Sequence, residues 1–150
     1  MIALIQRVGH ARVTVAGAEV GAIGAGLLAL VAVEPDDGPR QTERMLDRLL
    51  GYRVFADAEG RMNRSLADTR GGLLLVPQFT LAADTAKGMR PSFARAAEPA
   101  AARGGFEALV ALARSRHAPV ASGRFGTHMK VELENDGPVT FWLTARQNGA

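Results

Sequence analysis

Leu27-Leu28-Ala29-Leu30-Val31-Ala32-Val33 is the longest purely apolar run in the chain. It falls far short of the ~20 residues that cross a bilayer. Its unbroken character, without alternation, reads instead as a β-strand covered on both faces. The flanking residues supply the cover. Upstream, Ile2-Ala3-Leu4-Ile5 and the alternating Ala11-Arg12-Val13-Thr14-Val15 read as strands. Ala16-Gly17-Ala18 turns the chain into Glu19–Ile23, a hairpin partner, and Gly24-Ala25-Gly26 precedes the apolar run. Downstream, Asp36-Asp37-Gly38-Pro39 is a helix-start signal, with acid caps and proline in the first turn. Met45, Leu46, Leu49 and Leu50 share one face of that helix, and Gly51 ends it.

Tyr52–Phe55 resumes strand, Asp57-Ala58-Glu59-Gly60 is a turn, and Leu73–Leu81 is a further apolar strand. From Ala83 to Phe93 the periodicity stops in a polar loop bearing Asp84, Lys87, Gly88, Arg90, Pro91 and Ser92, of a length that usually carries function. A second helix is predicted over about Pro99 to Ser115, with Phe106, Leu109, Val110 and Ala113 at helical spacing. Met129–Leu133 and Val139–Leu143 are the last strands. No linker or repeat divides the chain. The expected fold is therefore α+β, a single domain over residues 1–150, with a curved sheet or β-barrel-like core and two covering helices.

At 150 residues and 47% hydrophobic, the chain can bury a proper core unaided. The absence of cysteine excludes disulfides, thiolate nucleophiles and cysteine-ligated zinc. With neither a signal-peptide pattern nor a spanning segment, the expectation is a cytoplasmic protein without a membrane partner. The net charge of +3 is modest, but only Lys87 and Lys130 are lysines among the 18 cations. Arginine's planar fork suits phosphate better than a point charge does. An anionic partner is permitted, not demanded.

Ordinary catalytic constellations are missing. There is no G-x-S-x-G elbow, no H-E-x-x-H, no phosphate loop and no paired-cysteine metal site. His10, His117 and His128 have no ligand spacing and read as surface or strand residues. Asp84 and Asp136 read as turn formers, and Thr80 as a β-branched strand residue unless a base lies beside it. Two interruptions stand out. Gly137-Pro138 sits directly before the strand Val139–Leu143, and Pro77-Gln78-Phe79-Thr80-Leu81 closes the strand begun by Leu73. Glycine permits dihedrals that a side chain forbids, and an X-Pro bond lowers the penalty for cis.

Five motifs occur in one order: Gln6-Arg7-Val8; Pro77-Gln78-Phe79-Thr80-Leu81; Ala83-Asp84-Thr85 with Lys87-Gly88 and Arg90-Pro91-Ser92-Phe93; Gly123-Arg124-Phe125-Gly126 with Met129; and Asn135-Asp136-Gly137-Pro138-Val139-Thr140. This set resembles the D-aminoacyl-tRNA deacylase family from Met1 to about Leu143. One departure is Pro77, where the family motif carries serine. Proline supplies neither a hydroxyl nor an N–H, so any role that needs that serine is lost.

The resemblance implies a homodimeric, barrel-like α+β fold that hydrolyses the ester between a D-amino acid and the 3′ end of tRNA. No cofactor and no metal ligand is expected, whether a metal matters is left open by the sequence, and the expected partner is tRNA rather than DNA. The resemblance implies main-chain groups at Gln78, Phe79 and Thr80 as the catalytic part, assisted by the 2′-hydroxyl of the terminal ribose. Gly137 and Pro138, joined by a cis bond and held by Arg7, would select the substrate in the partner's site together with Met129. Lys87 and Arg90 would bind tRNA. Two other readings remain. The basic loop Lys87–Arg95 fits a non-catalytic RNA-binding module, though surface aromatics for base stacking are lacking. Thr80 could also act as a covalent nucleophile.

Overall fold

The structure is a computed structural model that describes residues 1–146, so the last four residues of the expected domain lie outside the described residues. Within the described residues, eight strands and three α-helices follow one another: β1 (Ile2–Val15), β2 (Ala18–Ile23), β3 (Gly26–Ala32), α1 (Pro39–Gly51), β4 (Phe55–Ala56), β5 (Met62–Arg64), α2 (Leu66–Thr69), β6 (Gly72–Pro77), α3 (Pro99–Arg116), β7 (Val120–Ser122) and β8 (Lys130–Thr144). The two covering helices expected from sequence are α1 and α3; the four-residue α2 is additional.

β1 organises the sheet. Its first half pairs antiparallel with β3 and its second half with β2, while β8 runs antiparallel along its length. The two strands expected at Ile2–Ile5 and Ala11–Val15 are thus one, because partners on both sides carry the ladder through the polar middle. β3, β6 and β7 continue in parallel. The sheet curls until β2 meets β7, where a Cβ on Gly21 would stand 2.7 Å from the Ser122 carbonyl oxygen. Only glycine allows that approach, and the barrel nearly closes.

The doubly covered strand is as expected. Leu27, Ala29 and Val31 of β3 face a core shared with Met45, Leu46 and Leu49 of α1 and Phe106, Leu109 and Ala113 of α3. Leu28 points the other way, into the barrel, with Val8, Val13, Leu74 and Val76. Fully burying each of the Leu, Val, Met and Phe side chains is worth roughly 1.5–3 kcal/mol.

Several boundaries differ from expectation. Gly38, not an aspartate, caps α1; its N–H donates to the Gln41 side chain at 2.9 Å. Asp37 is engaged elsewhere, accepting from the Met1 ammonium at 2.7 Å and from the Glu34 N–H at 2.7 Å. Tyr52–Phe55 reduces to a two-residue strand, Phe55–Ala56, paired with β5. The strand expected over Leu73–Leu81 ends at Pro77 and becomes a 3-10 turn over Phe79–Ala82. β3, its parallel partner, ends at Ala32, so little ladder remains for it to follow. Met129–Leu133 and Val139–Leu143 are halves of one strand, β8.

Candidate functional site

The Gln78–Thr80 segment owes its form to the end of the β3–β6 ladder. Gln78 makes the last bond, its N–H donating to the Val31 carbonyl at 2.7 Å. The chain then turns, and the Gln78 side-chain amide donates to the Thr80 hydroxyl. The first N–H groups of such a turn have no acceptor within it. Among the described residues neither the Phe79 nor the Thr80 N–H has a hydrogen-bond partner, whereas Leu81 and Ala83 donate back to Gln78 and Thr80. Of the three main-chain donors expected at this site, Gln78 is therefore already spent. Phe79 is 57% exposed, with its ring 5.2 Å from that of Phe93.

This turn forms one wall of a cleft of about 550 Å³. Pro77, Gln78 and Phe79 face Ala102 of α3 and, from the loop before β8, Phe125, His128 and Met129. A Cβ on Gly123 would stand 2.8 Å from the Met129 sulfur and 3.3 Å from Pro77 Cδ, so glycine there lets both Met129 and Pro77 approach its backbone. The departure from the family motif thus places an apolar ring on the cleft wall. Of the expected site residues, Gln78, Phe79 and Met129 share this cleft, with Thr80 following directly on the turn.

Arg7, Gly137 and Pro138 form a second group. In the β1–β8 ladder Gln6 pairs with Thr140 and Val8 with Asn135, so residues 136–139 bulge out opposite Arg7. Asn135 closes the base of the bulge with its side chain: Oδ1 accepts from the Val139 N–H at 2.9 Å, and Nδ2 donates to the Thr140 hydroxyl at 3.0 Å. Arg7 donates through Nε to the Asp136 carbonyl at 3.0 Å and through Nη1 to the Val54 carbonyl at 2.7 Å. Gly137-Pro138 is cis, as is Ala118-Pro119, which the sequence reading did not anticipate. Gly137 has φ +143°, and both Gly137 and Pro138 are exposed.

The two groups are not brought together within one chain, since neither Gly137 nor Pro138 lines the cleft. Lys87 and Arg90 lie elsewhere again, at the exposed tip of a loop pinned by paired backbone bonds between Asp84 and Ser92. Sequence reasoning missed Phe93, Phe125 and His128 as site residues. Phe125 belonged to a recognised motif but was given no role, and His128 carries no ligand spacing that could single it out. His117 is structural, its ring meeting the Gly71 carbonyl at 2.6 Å. The carboxylates held below their usual range do not line the cleft. Asp57 accepts from the Asn63 amide and the Arg61 N–H, and Asp68 from the Ser65 N–H and hydroxyl. Among the described residues no cluster of three or more histidines and carboxylates could hold a metal, and no helix is long and apolar enough to cross a membrane.

A family model described as D-Tyr-tRNA(Tyr) deacylase matches residues 4–144. A D-aminoacyl-tRNA deacylase of Azotobacter vinelandii is 70% identical over 145 residues, 97% of this chain and 100% of that protein. Among solved structures, the c-Myc DNA unwinding element binding protein superposes with a TM-score of 0.92 at 36% identity, over 97% of this chain and 99% of that one. A probable eukaryotic D-amino acid tRNA deacylase superposes with a TM-score of 0.79 over 95% and 97%, and at 18% identity shows the shared fold.

Proposed function

The chain belongs to the D-aminoacyl-tRNA deacylase family and is a hydrolase of D-aminoacyl-tRNA, and from that premise we propose how its residues carry the reaction. The ester carbonyl lies against the 3-10 turn, where the free N–H groups of Phe79 and Thr80 receive the oxyanion. Water adds to the carbonyl carbon, assisted by the 2′-hydroxyl of the terminal ribose. The C–O bond to the ribose then breaks, and free D-amino acid and tRNA leave. An aminoacyl ester is activated, so positioning and main-chain donors suffice; one such donor is worth about 10²–10³ in rate. The observation that carries this reading is the pair of unpartnered N–H groups on a turn that walls a cleft.

Selection of the D-enantiomer falls to Gly137 and Pro138. They stand exposed on their bulge and away from the cleft of their own chain, which supports a two-fold dimer with each bulge seated in the partner's cleft. There the two carbonyls accept from the substrate's α-ammonium and leave no room for an L side chain. Arg7 holds the bulge, Met129 backs the cleft, and Lys87 and Arg90 meet the tRNA. The setting is the cytoplasm.

Hydrolysis of D-tyrosyl-, L-alanyl- and glycyl-tRNA in parallel tests this. The D-substrate is cleaved. Glycyl-tRNA is cleaved measurably, because steric rejection cannot act on a hydrogen atom. L-Alanyl-tRNA is spared by about ten-thousandfold, equivalent to ~5.5 kcal/mol. No release from the D-substrate removes the proposal. Equally negligible rates on glycyl and L-alanyl substrates remove steric exclusion and the role given to Gly137-Pro138.

A further inference from the structure

A second cleft, of about 290 Å³, adjoins the first. The two share Phe125, and Arg103, Arg114 and Arg124 line the second one. Arg103, Glu107, Val110 and Arg114 form one stripe of α3, and Arg124 faces it from the loop after β7. Arg103 marks the junction, its guanidinium 5.0 Å from the centre of the Phe125 ring. Gly126 keeps that junction narrow: a Cβ there would stand 3.1 Å from Arg103 Nη2.

Two of the three arginines of this cleft are not consumed locally. Arg12 is bound to Glu132 at 2.7 Å, and Arg116 to Glu43 at 3.0 Å and Asp47 at 3.1 Å. By contrast, among the described residues Arg114 and Arg124 have no carboxylate partner. Glu107, the one acid lining this cleft, lies 3.9 Å from Arg103. From Arg103 to Arg114 the helix advances about 16 Å at 1.5 Å per residue, several nucleotide steps at the ~3.4 Å per-strand rise of stacked nucleic acid.

We propose that this arginine-lined cleft binds the phosphates of the tRNA strand just upstream of the terminal adenosine, feeding the ester into the adjoining cleft. The inference rests on the deacylase reading of that adjoining cleft. A strand whose last residue is held there must leave along the protein surface, and the junction at Phe125 opens onto guanidinium groups free to pair with phosphate. Arginine forks meet phosphate oxygens two at a time, which orients a strand as well as attracting it. None of the three arginines lines the cleft assigned to the ester.

The test compares wild type with the Arg114→Gln/Arg124→Gln double variant on D-tyrosyl-tRNA and on D-tyrosyl-adenosine, which has the ester and base but no upstream phosphate. Both substitutions are at exposed positions, and a thermal melt checks the fold. On tRNA the variant raises KM at least about tenfold, with kcat within about twofold. The slope of log kcat/KM against log salt flattens by about 0.7 per lost contact. On the adenosine ester the two proteins are equal. Affinity for uncharged tRNA, read by fluorescence anisotropy, falls in parallel and reports on this cleft even without turnover. A wild type that binds tRNA but releases no D-tyrosine ends the deacylase reading and leaves the cleft standing. Equal tRNA affinity in the two proteins, or equal losses on both substrates, overturns the proposal.

Discussion

At the scale of single residues, Gly137 and Thr80 make opposite predictions. Gly137 has φ +143°, and a Cβ there would stand 2.6 Å from Val139 Cγ2 and 2.8 Å from the Val139 nitrogen. Alanine can be accommodated only by moving the bulge, at a cost of order 1–3 kcal/mol in backbone strain. Because the bulge is exposed, the displacement should damage function more than folding. Gly137→Ala is expected to lower kcat/KM on D-tyrosyl-tRNA at least about tenfold while the melting temperature falls by only several degrees and the fold is kept; wild-type kinetics would remove Gly137 from the site. The Thr80 hydroxyl accepts from the Gln78 side chain, and among the described residues no histidine or carboxylate contacts it to act as its base. Thr80→Ala should therefore cost less than about tenfold, since the N–H remains. Complete loss of turnover in a folded variant would restore the covalent-nucleophile reading.

The elements differ in how they are held. α1 and α3 are fixed by buried faces, whereas α2, only four residues long, depends on its cap. The Ser65 hydroxyl accepts from the Asp68 N–H at 3.2 Å, and the Asp68 carboxylate accepts from the Ser65 N–H at 2.8 Å. Bonds to the carboxylate from the Ser65 N–H and then its hydroxyl lower the Asp68 pKa. A carboxylate with a depressed folded pKa stabilises the fold above its unfolded value, near 3.9, and that stabilisation fades as pH falls through the folded value. Asn at the same position cannot titrate. The urea midpoint of the wild type should exceed that of Asp68→Asn near pH 6, and the gap should narrow near pH 3. A gap independent of pH would show that the charge of Asp68 is not what holds the cap. Element boundaries were less legible than element types. β1 and β8 were each read as two strands because their polar middles break the apolar pattern, although backbone pairing runs on through them.

For the whole molecule, the proposed dimer would account for the separation of the bulge from the cleft. Trp142 on β8 is also 53% exposed, an unusual position for the only tryptophan in the chain. If each site joins one chain's cleft to the other's bulge, two inactive variants should complement. Gly137→Ala impairs the bulge, and Thr127→Trp, at a cleft-lining position, fills the cleft. Refolded together in equal amounts, half the dimers are mixed and one of the two sites in each is intact. Activity should thus return to about a quarter of wild type. A mixture no more active than its components, with exchange verified by mass, would place both halves of the site in one chain.

Local chemistry determined the parts. The apolar Leu27–Val33 run read as a strand covered on both faces, proline and glycine marked the turns, and the ordered motifs pointed to the family. These properties depend on neighbours within a few residues, so a linear reading reaches them. Tertiary structure alone decided what those parts do together. The register that leaves Asp136–Val139 bulged opposite Arg7, the use of the Gln78 N–H by Val31, and the meeting of two clefts at Phe125 all join residues far apart in the chain. Each arises because backbone groups and charges must find partners wherever packing places them, and that placement is a property of the closed sheet.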